Sequence, residues 1–176
     1  GDAICAPIIK FVPEGNIDPP SSHMTSPGTI SMRQETFEAM LTDVAHSLKM
    51  HGFRNIIFFG DSGGNQGGQR AVAEKLNAMW DGTVVAHVQE YYDYGTVGDY
   101  MAFRGFPAGG AGDGLHDDPI ITLNMFADEP FSVRYQERVD AGHATINGVD
   151  ISDRVQSLKW AREIVDFRAD HTVGFI

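Results

Sequence analysis

The stretch Asn55-Ile56-Ile57-Phe58-Phe59-Gly60-Asp61-Ser62-Gly63-Gly64-Asn65 decides how this chain is read. An apolar run ends in glycine and polar residues, and a helix-compatible segment, Gln69-Arg70-Ala71-Val72-Ala73-Glu74-Lys75-Leu76, comes directly after it. A strand that feeds a glycine-rich turn into a helix is where α/β proteins place chemistry. The strand's carboxyl end opens a crevice and the turn aims polar groups into it. Gly60-x-Ser62-x-Gly64 is also the nucleophile-elbow pattern. Ser62 then has two readings: an activated nucleophile, or a cap for the following backbone in a turn made tight by its glycines.

Outward from this stretch the chain alternates strand and helix. Ala3-Ile4-Cys5-Ala6-Pro7-Ile8-Ile9-Lys10-Phe11 reads as a buried strand, followed by a proline- and serine-rich loop from Val12 to Pro27. Ser31 with Gln34 forms a capping-box pattern, after which Phe37, Met40, Leu41, Val44 and Leu48 recur at helical spacing until Gly52. A strand is predicted over Asn55–Phe59, a helix from about Gly68 to Met79, and a third strand over Thr83–Val88. Pro119 sits at a favourable first-turn position for a helix running to Phe126. Ala144–Asp150 reads as a hairpin with Asn147-Gly148 at its tip. The last helix is predicted over Ser152–Phe167, with Val155, Leu158, Ala161, Ile164 and Val165 on one face. Strands separated by helices imply a largely parallel sheet covered on both sides.

A chain of 176 residues supports one domain with a real core. No apolar run approaches the roughly 20 residues that span a bilayer. Thirteen basic residues against 24 acidic ones give a net charge of −11, which argues against nucleic acid or an anionic membrane as partner. The single cysteine, Cys5, excludes an internal disulfide framework and most thiolate metal sites. The compartment stays open between the cytoplasm and export after processing. The chain opens at Gly1 straight into an apolar run, the pattern expected when a segment upstream has been removed or lies on another chain.

Three polar groups stand where strands or loops should empty into one crevice: Asp61 with Ser62, Tyr91-Tyr92-Asp93, and His116-Asp117-Asp118. In a serine-hydrolase reading Ser62 is the nucleophile, His116 the base, and Asp117, Asp118 or Asp93 the orienting acid. In a metal reading Asp61, His116, Asp117 and Asp118 offer oxygen and imidazole ligands suited to Zn²⁺ or Mn²⁺, with Fe a further candidate. A bound ion would lower the pKa of a water and polarise an amide carbonyl. A third reading takes His116-Asp117-Asp118-Pro119 as a helix N-terminus, where the dipole favours acids. Tyr91 and Tyr92 read either as a flat face in a pocket or as core tyrosines.

The blocks His23-Met24-Thr25-Ser26-Pro27-Gly28-Thr29-Ile30-Ser31, Glu35-Thr36 and His51-Gly52-Phe53-Arg54-Asn55-Ile56 resemble the creatininase (creatinine amidohydrolase) family. Members carry H-M-x-F-P-G-T-I-S, a helix, H-G-F-R-x-I, and a strand ending in N-G-H-G-G-N, which stands here as Gly60-Asp61-Ser62-Gly63-Gly64-Asn65. Leu115-His116-Asp117-Asp118 takes the place of a family H-A-G-E segment, and Ala127–Arg134 resembles the family's next stretch. The likeness runs from about Ala6 to Val133. It implies a three-layer α/β/α sandwich, one creatininase-like domain over 1–176, and metal-dependent hydrolysis of an amide or related C–N bond in a small molecule. It further implies a homo-oligomer, often a hexamer. His116 matches the histidine that shuttles a proton to the leaving nitrogen. Gly63, Gly64 and Asn65 match the turn beside the metal, His23 a histidine near the site or a subunit contact, and Tyr91-Tyr92-Asp93 a segment where members often have a pair of aromatics.

The chain also departs from the family. Ser62 replaces the metal-binding histidine, leaving Asp61 as the substitute ligand, and Pro119 replaces the glutamate of H-A-G-E, leaving Asp117 or Asp118. The family's first strand and its E-x-H…D ligand segment have no counterpart. The chain thus resembles the later two-thirds of a member, with the remainder expected on a second polypeptide or in a missing segment. Besides a metal amidohydrolase, the residues allow a metal-free hydrolase using Ser62, or a binding or assembly subunit without catalysis.

Overall fold

The computed structural model describes residues 3–109 and 118–176, so His116 and Asp117 lie outside the described residues. The chain gathers into two compact units, one reaching to Tyr92 and taking in Ile176, the other spanning Asp93–Phe175.

The first unit is built on α1 (Gln34–Met50), β1 (Asn55–Phe58), α2 (Gly63–Met79) and β2 (Val84–His87). The two strands pair in parallel, Ile56 opposite Val85 and Phe58 opposite His87. Phe37, Leu41 and Ala45 of α1, Ile56 and Phe58, Val72, Ala73 and Leu76 of α2, and Val85 form one core. Helix α1 ends in the expected way: Gly52 takes φ +88°, its N–H reaches Lys49 O, and Phe53 N–H reaches Leu48 O at 3.2 Å. The Asn77 side chain binds the backbone of β2, donating to Val85 O and accepting from Val85 N, each at 2.8 Å.

The second unit comprises α3 (Tyr94–Phe103), α4 (Pro119–Asp128), α5 (Tyr135–Asp140), the hairpin β3–β4 (Thr145–Ile146, Val149–Asp150) and α6 (Arg154–Val173). Leu123 and Phe126 pack with Ala161 and Ile164 in a core that the Phe126–Tyr135 ring stack extends. The Tyr135 hydroxyl lies 2.9 and 2.8 Å from Ile151 O and Ser152 O and shares its one proton between them, so the buried ring carries no unpaired polar atom. Asn147 and Gly148 both take positive φ, 47° and 83°, as a two-residue hairpin turn of this hand requires.

Several expectations are corrected. Residues 3–11 form no strand: Ile4, Ile8 and Phe11 are exposed, and only Ile9 packs against the first core. A strand exists by pairing, and Pro7 removes a ladder donor in mid-segment. The capping box is absent; α1 has Arg33 at its N-cap, and the Ser31 hydroxyl instead donates to Gly15 O at 2.8 Å. Helix α2 begins at Gly63, ahead of the predicted start at Gly68, glycines included. In α6 Val155 is exposed, and the buried stripe is Ser157, Ala161, Ile164, Arg168 and Thr172. Helix α3, not predicted from the sequence, is held by the Asp93 cap and by Val97 and Met101 one turn apart in the core. The parallel sheet is small, with two strands among the described residues. No helix among them is long and apolar enough to cross a membrane.

Candidate functional site

Strand β1 delivers the chain to Gly60-Asp61-Ser62, and Ser62 is the N-cap of α2. Its hydroxyl oxygen accepts the Gly64 N–H at 3.3 Å, satisfying a helix-start donor that has no partner within the helix. The same hydroxyl donates its proton to Glu14 Oε1 at 3.0 Å. The other carboxylate oxygen, Oε2, lies 2.8 Å from His23 Nδ1. A carboxylate only accepts, so Nδ1 carries the proton in this contact.

Glu14 is brought there by a pinned loop. Its N–H donates to Ser31 Oγ at 2.9 Å, His23 N–H reaches Glu14 O at 3.1 Å, and Asn16 N–H reaches Ser21 Oγ at 3.0 Å. The loop backbone lies directly on the start of α2: a Cβ on Gly64 would stand 1.9 Å from Pro13 O. Further along, a Cβ on Gly68 would meet Gln34 Nε2 at 2.5 Å and Phe37 at 2.9 Å. Two of the glycines that lower helix propensity here, Gly64 and Gly68, let α2 touch the loop and α1.

On the other side of the turn Gln66, buried, donates from Nε2 to Gly60 O at 3.0 Å and Ser62 O at 2.8 Å. Its Oε1 lies 2.9 Å from Nε2 of His87, the last residue of β2. Burial first, then the positive charge of Arg70, pull the His87 imidazole below its ordinary value, with Glu90 pulling the other way. Asn65 Oδ1 and Gln69 Oε1, both on the first turns of α2, are buried with no hydrogen-bond partner among the described residues. Their amide nitrogens flank Gly60, where a Cβ would be 2.7 Å from each.

The structure places the predicted site residues unevenly. Ser62, Gly63, Gly64, Asn65 and His23 belong to this polar cluster, and Asp61 is exposed on the turn that starts it. The Tyr92 hydroxyl stands over the first helical residue, 3.3 Å from where a Cβ on Gly63 would be, and the Tyr91 ring lies 4.9 Å from that of Phe59. Asp93 and Asp118 belong to the second unit. Asp93 accepts from Thr96 Oγ1 and Thr96 N, bonds that hold its carboxyl below the usual carboxylate range. Asp118 Oδ1 accepts from Ile120 N at 2.7 Å and Ile121 N at 3.0 Å, capping α4. Glu14, Gln66 and His87 were not singled out from sequence. A histidine closing an apolar strand at its carboxyl end was a legible signal. Glu14 was not, because the loop that presents it has no periodicity.

Metal chemistry needs about three converging protein ligands. Among the described residues no group of three or more His, Cys, Asp or Glu could hold an ion. Ser62 has its hydroxyl committed at both ends, and Asp118 is committed to a helix start. These residues alone do not fit a metal ion.

No curated protein and no solved structure matches the chain. The model of the family described as creatininase, creatinine amidohydrolase, matches residues 2–174, nearly the whole sequence, and this α/β protein belongs to that family.

Proposed function

We propose that this chain is a hydrolase of an amide or related C–N bond in a small molecule, working at the turn between β1 and α2. Family membership over residues 2–174 supports hydrolysis. The observation that carries the location is the Ser62–Glu14–His23 chain of hydrogen bonds at the carboxyl end of β1, the end where open α/β sheets bind ligands. In our reading Glu14 holds the His23 imidazole in one tautomer, and Ser62 fixes the second carboxylate oxygen. His23, Tyr91, Tyr92 and the backbone of Gly63 and Gly64 border the substrate.

The family points to a divalent ion, Zn, Mn or Fe, which supplies an activated water when bound. Asp61 and Asp118 alone do not make a ligand set. In our reading further ligands come from His116 and Asp117, or from a second polypeptide completing the fold within an oligomer. We further propose a three-layer α/β/α sandwich as a single domain over 1–176, with His116 as the residue that hands a proton to the leaving nitrogen.

The test is turnover of a panel of cyclic amides, ureides and linear amides, with and without added Zn²⁺ or Mn²⁺, beside fluorophosphonate labelling. Turnover of a panel member with Ser62 unlabelled is expected. A labelled Ser62 would replace this reading with a serine hydrolase. Ligand binding without turnover would replace it with a non-catalytic binding subunit.

A further inference from the structure

The Gln66 side chain touches both the Ser62 turn and β2. Two backbone carbonyls, Gly60 O and Ser62 O, accept from its Nε2, and a carbonyl cannot donate. The carboxamide is therefore oriented with Oε1 toward His87. Since Oε1 only accepts, His87 Nε2 must carry the proton in the 2.9 Å contact. In the neutral ring the lone pair is then on Nδ1. Gln66 is buried, so the orientation is fixed by the protein rather than by solvent. His87 itself is half-buried, so part of the residue stays open to solvent. It closes β2 opposite Phe58, so the parallel register sets it at the carboxyl edge of the pair, just short of the Gly60 turn.

We propose that His87 is a proton acceptor of the hydrolytic site through Nδ1, with Gln66 as its positioning residue; this rests on the hydrolase reading above. In the step assigned to it, Nδ1 takes a proton from water as the water oxygen bonds to the substrate's carbonyl carbon and the C=O electron pair moves onto oxygen. When the carbonyl re-forms, the C–N bond breaks and the leaving nitrogen takes a proton from His116, which regains one from solvent as His87 Nδ1 returns its own to solvent. The products are an acid and an amine, and the imidazole is neutral again. The lowered basicity that burial and Arg70 impose keeps the ring neutral at pH 7, the form the step requires.

The experiment combines imidazole ¹⁵N NMR of the full chain with kinetics on the panel substrate that the wild type turns over. His87 is expected neutral at pH 7 in the Nε2–H tautomer, a bias that Gln66→Leu abolishes. His87→Gln keeps an N–H for Gln66 but has no base, and should lower kcat/KM about 100- to 10,000-fold. His87→Ala should recover part of its lost rate when free imidazole is added. The opposite tautomer, full activity of His87→Gln, or no rescue of a folded His87→Ala each overturns the His87 assignment. An idle wild type overturns the hydrolase reading itself, and His87's part with it.

Discussion

Ser62 Oγ and Glu14 Oε1 lie 3.0 Å apart across 48 residues of chain. The serine that looked like a nucleophile is a donor to a carboxylate and a cap for a helix, and its neighbour in the network is not an imidazole. Ser62→Ala is expected to cost about 1 kcal/mol of stability through the lost cap and less than about tenfold in kcat/KM, since no bond to the substrate is lost. Glu14→Ala leaves His23 unoriented and should cost about 100-fold in kcat/KM. Steady-state kinetics on both variants decide: the reverse order would restore the nucleophile.

Two glycines in α2 should respond in opposite directions to the same change. Gly67 has open space where a Cβ would go, and Gly67→Ala is expected to raise stability by up to about 1 kcal/mol, the ordinary helix-propensity gain. At Gly64 the new methyl would collide with Pro13 O, so Gly64→Ala should lower the urea midpoint and displace the loop that carries Glu14. Equal effects at the two positions would mean that the loop does not lie on the helix.

Asp118 caps α4. Asp118→Ala is expected to cost about 1 kcal/mol, and Asp118→Ser to restore most of it. If Asp118 also serves as a metal ligand, Asp118→Ser lowers metal content, read by elemental mass spectrometry, while leaving the melting temperature near wild type.

Stability should fall on the acid side in two windows. The fold lowers the His87 pKa from an ordinary 6.5, so the unfolded chain binds this proton first. The stabilisation is complete above about 6.5 and declines as pH drops from there toward the lower folded value. Asp93 is lowered from 3.8 by its bonds to Thr96; its stabilisation holds above about 3.8 and is lost as pH falls through the folded value. Its exposure keeps that second step small. Urea midpoints measured against pH should show the upper step in wild type and lose it in His87→Gln. A wild-type midpoint that stays flat from pH 7 to pH 5 would show that burial does not penalise the charged imidazole.

Legibility tracked locality. The sequence by itself determined β1, β2, the Gly52 helix end, the Asn147-Gly148 turn and the Asp118-Pro119 helix start. The two strands are marked by continuous apolar runs, and the helix end, the turn and the helix start each depend on residues within one turn of one another, through caps and positive φ. It also carried the family, because motif spacing survives where single ligands change. Only the tertiary structure decided the rest. Ala3–Phe11 has strand composition but pairs with no strand among the described residues. Gly63, Gly64, Gly67 and Gly68 have poor helix propensity, yet they are helical behind the Ser62 cap, and close approach to Pro13 and Phe37 leaves no room for larger residues at Gly64 and Gly68. Glu14, His23 and Ser62 joined one network, and Gln66 and His87 met beside it. A side chain's hydrogen-bond partner is chosen by where the folded backbone delivers it, and no local pattern in the chain encodes that distance.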